Sequence, residues 1–225
     1  MRLDISNRAL WLHAIPIRFR RTTASLGRDQ RGISMVEFGL CLPFLVAVGM
    51  TGIEITNMAS ASMQVSQIAV SVADNASRLG QTDNSAVAPS VGEADVDAVM
   101  FGAMRQGASL DFQQNGRIIL SSLEVDPADP AVQYIHWQRC AGDMSAESSY
   151  GIENDEVDGI GSQNLTANPG QAVMFAEVYY TYQPLFAGGF GLVDNMTFRQ
   201  EAAFIVRDDR DIDDGLMGTP TSTCS

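Results

Sequence analysis

Few side chains in this 225-residue sequence have the types and spacing that chemistry requires. His13 and His136 are the only histidines, and no H-E-x-x-H, G-x-S-x-G or Walker-type loop occurs. Gly188-Gly189-Phe190-Gly191 lacks the lysine and the helix pattern of a phosphate cradle. His136 stands beside Trp137 in a strand-like run, a setting for a packed or hydrogen-bonded imidazole. The stretch 142–169 carries Glu147, Glu153, Asp155, Glu156 and Asp158, which invites a calcium loop. Aligning Gly159 with the sixth EF-hand position places Asn154, Glu156 and Asp158 at the first, third and fifth. Leu165 then falls where a bidentate Glu is required, so the stretch reads as a solvated acidic loop. Cys41, Cys140 and Cys224 form no C-x-x-C pair. These residues predict no catalytic centre, no metal site and no cofactor.

One carboxylate stands out by its surroundings. Glu37 is the only charge in Ile33–Ile53, ISMVEFGLCLPFLVAVGMTGI. As a helix this segment is about 32 Å long, close to the hydrocarbon thickness of a bilayer. Residues 1–32 hold seven Arg against two acids, a net +5; residues 33–225 hold seven Arg against twenty-five acids, a net −18. Lys is absent. A basic leader, an apolar span and an acidic remainder in that order follow the positive-inside pattern. They place residues 1–32 in the cytoplasm and the bulk of the chain in the periplasm, behind an inner-membrane anchor. The overall charge of −13 argues against nucleic acid as a partner. A buried core helix of a soluble protein is one alternative for the span. A cleaved secretory signal ending at Ala59-Ser60-Ala61 is another.

The helical pattern continues beyond the apolar span. Met58, Ala61, Val65, Ile68, Val72, Ala76 and Leu79 recur at three- and four-residue intervals, with Ser, Gln, Asp and Asn between them. One helix is expected over about 33–79, with Gly80 as its C-cap and with Pro43 removing one hydrogen bond inside it. Its second half presents an apolar face, either to the chain's own globular part or to neighbouring subunits.

Arg31-Gly32-Ile33-Ser34-Met35-Val36-Glu37-Phe38, followed by Gly39-Leu40-Cys41-Leu42-Pro43-Phe44-Leu45, resembles the N-terminal segment of TadE-like proteins, pilin-like components of tight-adherence (Flp/Tad) pilus assembly. Val178-Tyr179-Tyr180-Thr181-Tyr182-Gln183-Pro184-Leu185-Phe186 and Met196–Arg207 resemble the Tyr-rich strand and the Arg-ended terminal strand that close such domains. The resemblance covers about 31–80 and 131–210. It implies prepilin-type processing, with Gly32 before the scissile bond, Ile33 as first mature residue, Glu37 at the fifth mature position and Phe38 beside it. It also implies a non-enzymatic role in pilus assembly. The implied partners are the inner membrane, other pilin-like subunits, the assembly machinery and a prepilin peptidase. The D-x-S-x-S metal motif of related TadG-like proteins is absent from the sequence. A membrane-anchored extracytoplasmic binding or sensor module is the alternative function, and a tethered hydrolase a third.

The elements that position these residues are an α+β set. Residues 81–92 read as a linker, and 93–225 as an extracytoplasmic domain. Glu93–Ser109 reads as a short helix. Arg117–Asp126, Ala131–Cys140, Ala172–Tyr182 and Thr197–Arg207 read as strands. Asp126–Pro130 joins the first two and the Gly-rich Ala187–Asp194 the last two. About four strands in two hairpins predict an antiparallel sheet covered by a helix, which is also the pilin-like arrangement that the resemblance implies. In the second strand, Ile135 and Trp137 are the expected core residues. The acidic Asp208–Asp214 reads as a soluble tail. Cys140 and Cys224 both lie past the apolar span, where an oxidising periplasm favours their pairing.

The charge asymmetry makes a direct prediction. Alkaline phosphatase fused after Ser225 is expected to be active in cells, and a cytoplasmic reporter at the same point inactive. The opposite result would reverse the topology.

Overall fold

The computed structural model describes residues 32–80, 89–186, 196–206, 210–212 and 215–224. The basic leader up to residue 31, most of the expected linker and the Gly-rich Ala187–Asp194 segment therefore lie outside the described residues. The chain divides into two units, Met1–Thr51 and Gly52–Ser225.

In the first unit the described residues are helical from Ile33 onward, within helix α1, Ile33–Ser77. The helix continues through Pro43. Thr51 Oγ1 donates to the Ala47 carbonyl, one turn back. Phe38, Leu40, Phe44, Leu45 and Val48 are all exposed, so this part of the helix is apolar around its circumference. A helix that is apolar all round suits a hydrocarbon environment or a large core.

The second unit is a sheet with helices on one face. Its further elements are α2 (Glu93–Gln106), a 3₁₀ turn (Ala108–Leu110) and α3 (Phe112–Asn115). The strands are β1 (Gly116–Val125), β2 (Gln133–Ala141), β3 (Glu156–Val157), β4 (Val173–Thr181) and β5 (Thr197–Ile205). The order is β3-β2-β1-β4-β5, and every pairing is antiparallel. Both expected hairpins form. The strand count is five rather than about four. A two-residue strand inside a polar stretch has no readable periodicity, and β3 exists only because Gln133 and Tyr134 offer it a ladder.

Strand β2 carries a bulge. Ser122 pairs with Trp137 but Leu123 with Ile135, so His136 is the extra residue. The bulge resets the side-chain alternation. Trp137 joins the core on the helix side with Ile118 and Leu120. Ile135 pairs with Leu123, which belongs to the core on the opposite face. Both are buried, but the bulge assigns them to different faces, which simple alternation would not.

On the helix side, α1 contributes Ala61, Val65, Ile68, Ala69, Val72, Ala73 and Ala76, all buried. The many alanines let the helix backbone approach the sheet closely. Strand β4 meets them with Met174, Ala176, Val178 and Tyr180, and α2 adds Val96, Met100 and Ala103. Phe112 is fully buried and stacks on Tyr180 at 5.9 Å between centroids. Gly107 and Gly116 make room for it, since a Cβ at either would come within 2.6 Å of the Phe112 side chain.

On the other side, the 142–169 stretch is more than a surface loop. Ile160 and Ala167 are buried and pack with Leu123, Val173 and Phe175. A sheet with apolar residues on both faces needs two covers, and this segment is the second.

Of the expected acidic tail, Asp208, Asp209, Asp213 and Asp214 lie outside the described residues, while the described 210–212 and 215–224 are packed on the domain. Arg210 is buried, and Ile212 and Leu216 rest on the helix-side core. Glu93 N donates to the Met217 carbonyl and Met217 N to that of Val91, which ties this segment to the start of α2. Cys140 and Cys224 form a disulfide, and Cys140 N donates to the Ser222 carbonyl at 2.7 Å. Thr221 and Ser222 hydroxyls donate to the Asp97 carboxylate. Ile212 within the acidic stretch and Leu216 just after it supply the apolar contacts.

The cross-link closes an 84-residue separation. In the chain-entropy account such a closure contributes about 4.5 kcal/mol. Cys140→Ser is therefore expected to lower the urea midpoint markedly and to speed tryptic cleavage after Arg210. Unchanged midpoint and cleavage rate would show that packing alone holds the tail.

Candidate anchoring and processing site

The residues singled out for processing sit at the start of α1. The α-helix begins at Ile33, directly after Gly32, which is in 3₁₀ conformation. A Cβ on Gly32 would meet nothing within 4 Å, and Gly32 is exposed. Ile33, Glu37 and Phe38 are exposed too. Glu37 is one helical turn from Ile33, the spacing at which helix side chains and a helix N-terminus meet. The 18-residue window of highest hydropathy in this helix averages 2.0 with none of its residues buried in the protein. By length and composition α1 is the one helix among the described residues able to cross a membrane.

Where the helix enters the second unit, a second carboxylate takes over. Glu54 is buried and accepts hydrogen bonds from Tyr182 Oη at 2.7 Å, Leu185 N at 3.3 Å and Phe186 N at 3.2 Å. Asn57 Nδ2 donates to Tyr182 Oη at 2.7 Å. Burial, and then the bond to Glu54, push the Tyr182 hydroxyl above its ordinary pKa. Glu54 thus fastens the end of the Tyr-rich strand to α1. The sequence reading missed Glu54, although it is the first charge after the sixteen uncharged residues that follow Glu37.

Two charge networks hold the covers of the sheet. Arg139 is gripped by Glu93 through Nε (2.9 Å) and Nη2 (2.6 Å), and by Glu153 through Nη1 (2.7 Å). The Glu93 hydrogen bonds lead in holding the Arg139 guanidinium above its ordinary pKa, against its burial. This network joins α2, β2 and the 142–169 segment. On the other face Glu177 is fully buried and accepts from Ser148 Oγ, Ser149 N, Tyr179 Oη and Arg199 Nη2. Glu201 lies directly across from Glu177 on β5, and Arg199 bonds to both. Two facing carboxylates repel; the shared guanidinium makes the pair tolerable. Burial opposes the charge on Arg199, but bonds to Tyr150 and Glu177 outweigh it and raise its pKa.

Ser122, Glu124 and His136 also come together. Ser122 Oγ donates to Glu124 Oε1 at 2.6 Å, and His136 Nδ1 lies 2.8 Å from Glu124 Oε2. The carboxylate stands between hydroxyl and imidazole, whereas in the Ser-His-acid order the imidazole contacts the hydroxyl. The arrangement braces the β2 bulge. In the acidic stretch, Glu153 pairs with Arg139 and Asp155 accepts from Ile152 N. No group of three or more His, Cys, Asp or Glu able to hold a metal ion occurs among the described residues.

Comparison with protein-family models, curated proteins and solved structures yields no match to this chain. The functional reading therefore rests on the residues themselves.

The Arg139 network is testable by truncation. Glu93→Leu is expected to destabilise the fold by about 3 kcal/mol, since it leaves a buried guanidinium with Glu153 as its one remaining carboxylate. Glu93→Leu combined with Arg139→Met is expected to recover most of that loss in urea melts. A double variant as weak as the single would deny that the stranded charge causes it.

Proposed function

We propose that this chain is a minor pilin-like protein of the TadE-like kind, anchored in the inner membrane and assisting assembly of a Flp/Tad-type pilus or related secretion system. The observation that carries the reading is the build of α1. It starts at Ile33, directly after Gly32, and holds Glu37 as the only charge in its first 21 residues. The same helix then packs an alanine-rich face on the sheet. The extracytoplasmic placement of the sheet is supported by the Cys140–Cys224 disulfide, a bond that persists in oxidising compartments.

In this reading a prepilin peptidase cleaves after Gly32. A residue without a side chain lets the protease reach the backbone. The new α-amine on Ile33 carries a positive charge and pairs with Glu37, of the same chain or of a neighbour. Such pairing offsets the cost of a carboxylate in lipid, about 2.5–3.5 kcal/mol at the bilayer centre and less toward the interface. The protein acts through helix packing and subunit contacts, with no reaction of its own.

Mass spectrometry of the membrane-extracted protein is expected to find Ile33 as the N-terminus. Gly32→Val is expected to abolish processing while leaving the fold intact, because the position has open space around it. Glu37→Ala is expected to spare membrane insertion but to reduce co-purification with partner pilins. An intact leader in cells with an active prepilin peptidase would overturn processing and leave a plain single-span anchor.

A further inference from the structure

The chain carries a second apolar surface, on the end of the sheet nearest Glu54. Tyr182 N donates to the Met196 carbonyl at 2.9 Å, so the two legs of the β4–β5 connection stay paired beyond the strands. Leu185 and Phe186 follow immediately, their backbone N–H groups held by the Glu54 carboxylate. Despite that anchorage their side chains face outward, Leu185 58% and Phe186 36% exposed, with Met196 46% exposed on the returning leg. Ile53 and Ile55, flanking Glu54 on α1, are exposed as well. The sequence from Gln183 to Val193 holds no charged residue, in a chain of net charge −13.

We propose that Leu185, Phe186 and Met196 form a second membrane contact, resting in the headgroup–acyl boundary of the bilayer that α1 enters. The proposal rests on the membrane-anchor reading of α1. Ile53 ends the apolar span, so Glu54 falls at the boundary between lipid and water. Groups hydrogen-bonded to Glu54 lie at the same depth. An exposed Leu-Phe pair at that depth suits the interface, which accepts apolar side chains beside polar backbone. Gln183–Val193 brings no charge beside the Leu-Phe pair, and Asp194 is the first charge on the connection, next to the returning leg. Glu54 is the positioning residue: its carboxylate turns the Pro184–Phe186 backbone inward and leaves the side chains outward.

The full chain, oxidised so that Cys140 and Cys224 are bonded, tests this in vesicles of phosphatidylethanolamine and phosphatidylglycerol. An environment-sensitive fluorophore is placed on Leu185→Cys in a Cys41→Ser background. Separate samples carry it on native Cys41 and on Ala128→Cys in the same Cys41→Ser background. Ala128 follows the Val125 end of β1, whereas Gly116 at the other end pairs with Tyr180 near the proposed contact. Ten strand residues separate the two ends by about 30 Å. The expected result is a blue-shifted emission at 185, quenched by lipids with shallow nitroxides and unchanged on dilution of protein into lipid. Emission at 41 is quenched by deep nitroxides, and emission at 128 stays water-like. A water-like 185 with a lipid-buried 41 overturns the second contact and leaves the anchor standing. A water-like 41 overturns the anchor and the contact together. A shift at 185 that vanishes on dilution assigns the patch to contact between copies of the chain and overturns lipid binding.

Discussion

Strand β4 is apolar on both faces, and that single constraint organises the second unit. Met174, Ala176, Val178 and Tyr180 point one way, and Val173 and Phe175 the other. A strand of this kind cannot lie with one side in water without exposing several large side chains, at about 1.5–3 kcal/mol each. The chain therefore spends two different segments on the sheet. One is regular, the alanine-rich half of α1. The other, 142–169, is irregular, with positive φ at Gly151, Asn154, Gly159, Gly161 and Asn164. Apart from the short β3 ladder and a few backbone bonds, its position is set by side chains, and the charge networks around Glu177 and Arg139 supply them.

Those networks have a cost that geometry offsets. Glu177 is removed from water entirely, yet it accepts four hydrogen bonds, one of them from a guanidinium. Buried charges of this sort add little net stability compared with apolar residues, but they reject alternative arrangements of the groups they bind. The β2 bulge works alongside them. By inserting His136 it turns Trp137 toward the helices and Ile135 toward the loop, and it brings His136 against Glu124. The C-terminal strap then covers Trp137's side of the sheet and is locked by the disulfide.

Helix α1 changes the character of its surface along its length under one periodicity. Its first half has apolar residues on every side, which only hydrocarbon or other apolar helices can satisfy. Its second half buries one apolar stripe and carries Ser, Gln, Asn and Asp on the remaining faces, with Met63 and Val70 exposed among them. The change of composition occurs around Glu54, whose carboxylate is satisfied by Tyr182 and two backbone amides. In the proposed pilin-like role, this residue marks where the membrane-borne part of the helix ends and the domain-bound part begins.

The long helix, the two hairpins and the pairing of Cys140 with Cys224 were all readable in the sequence, because each depends on local pattern or on simple elimination. Three-four spacing dictates one helical face wherever the partner lies, and strand runs separated by Pro, Asp and Gly turn back on themselves. The sequence likewise determined where the lone carboxylate of the apolar span stands relative to Gly32. Tertiary structure alone decided the rest. The strand β3 needed an edge to pair with; the burial of Ile160 needed a second apolar face to cover. The split of Ile135 from Trp137 needed a one-residue bulge, which leaves no composition signal. The meeting of Glu54 with Leu185 and Phe186 spans more than a hundred residues, and Glu93 meets Arg139 across forty-six. Such contacts are set by sheet register and helix placement, quantities that no window of sequence contains.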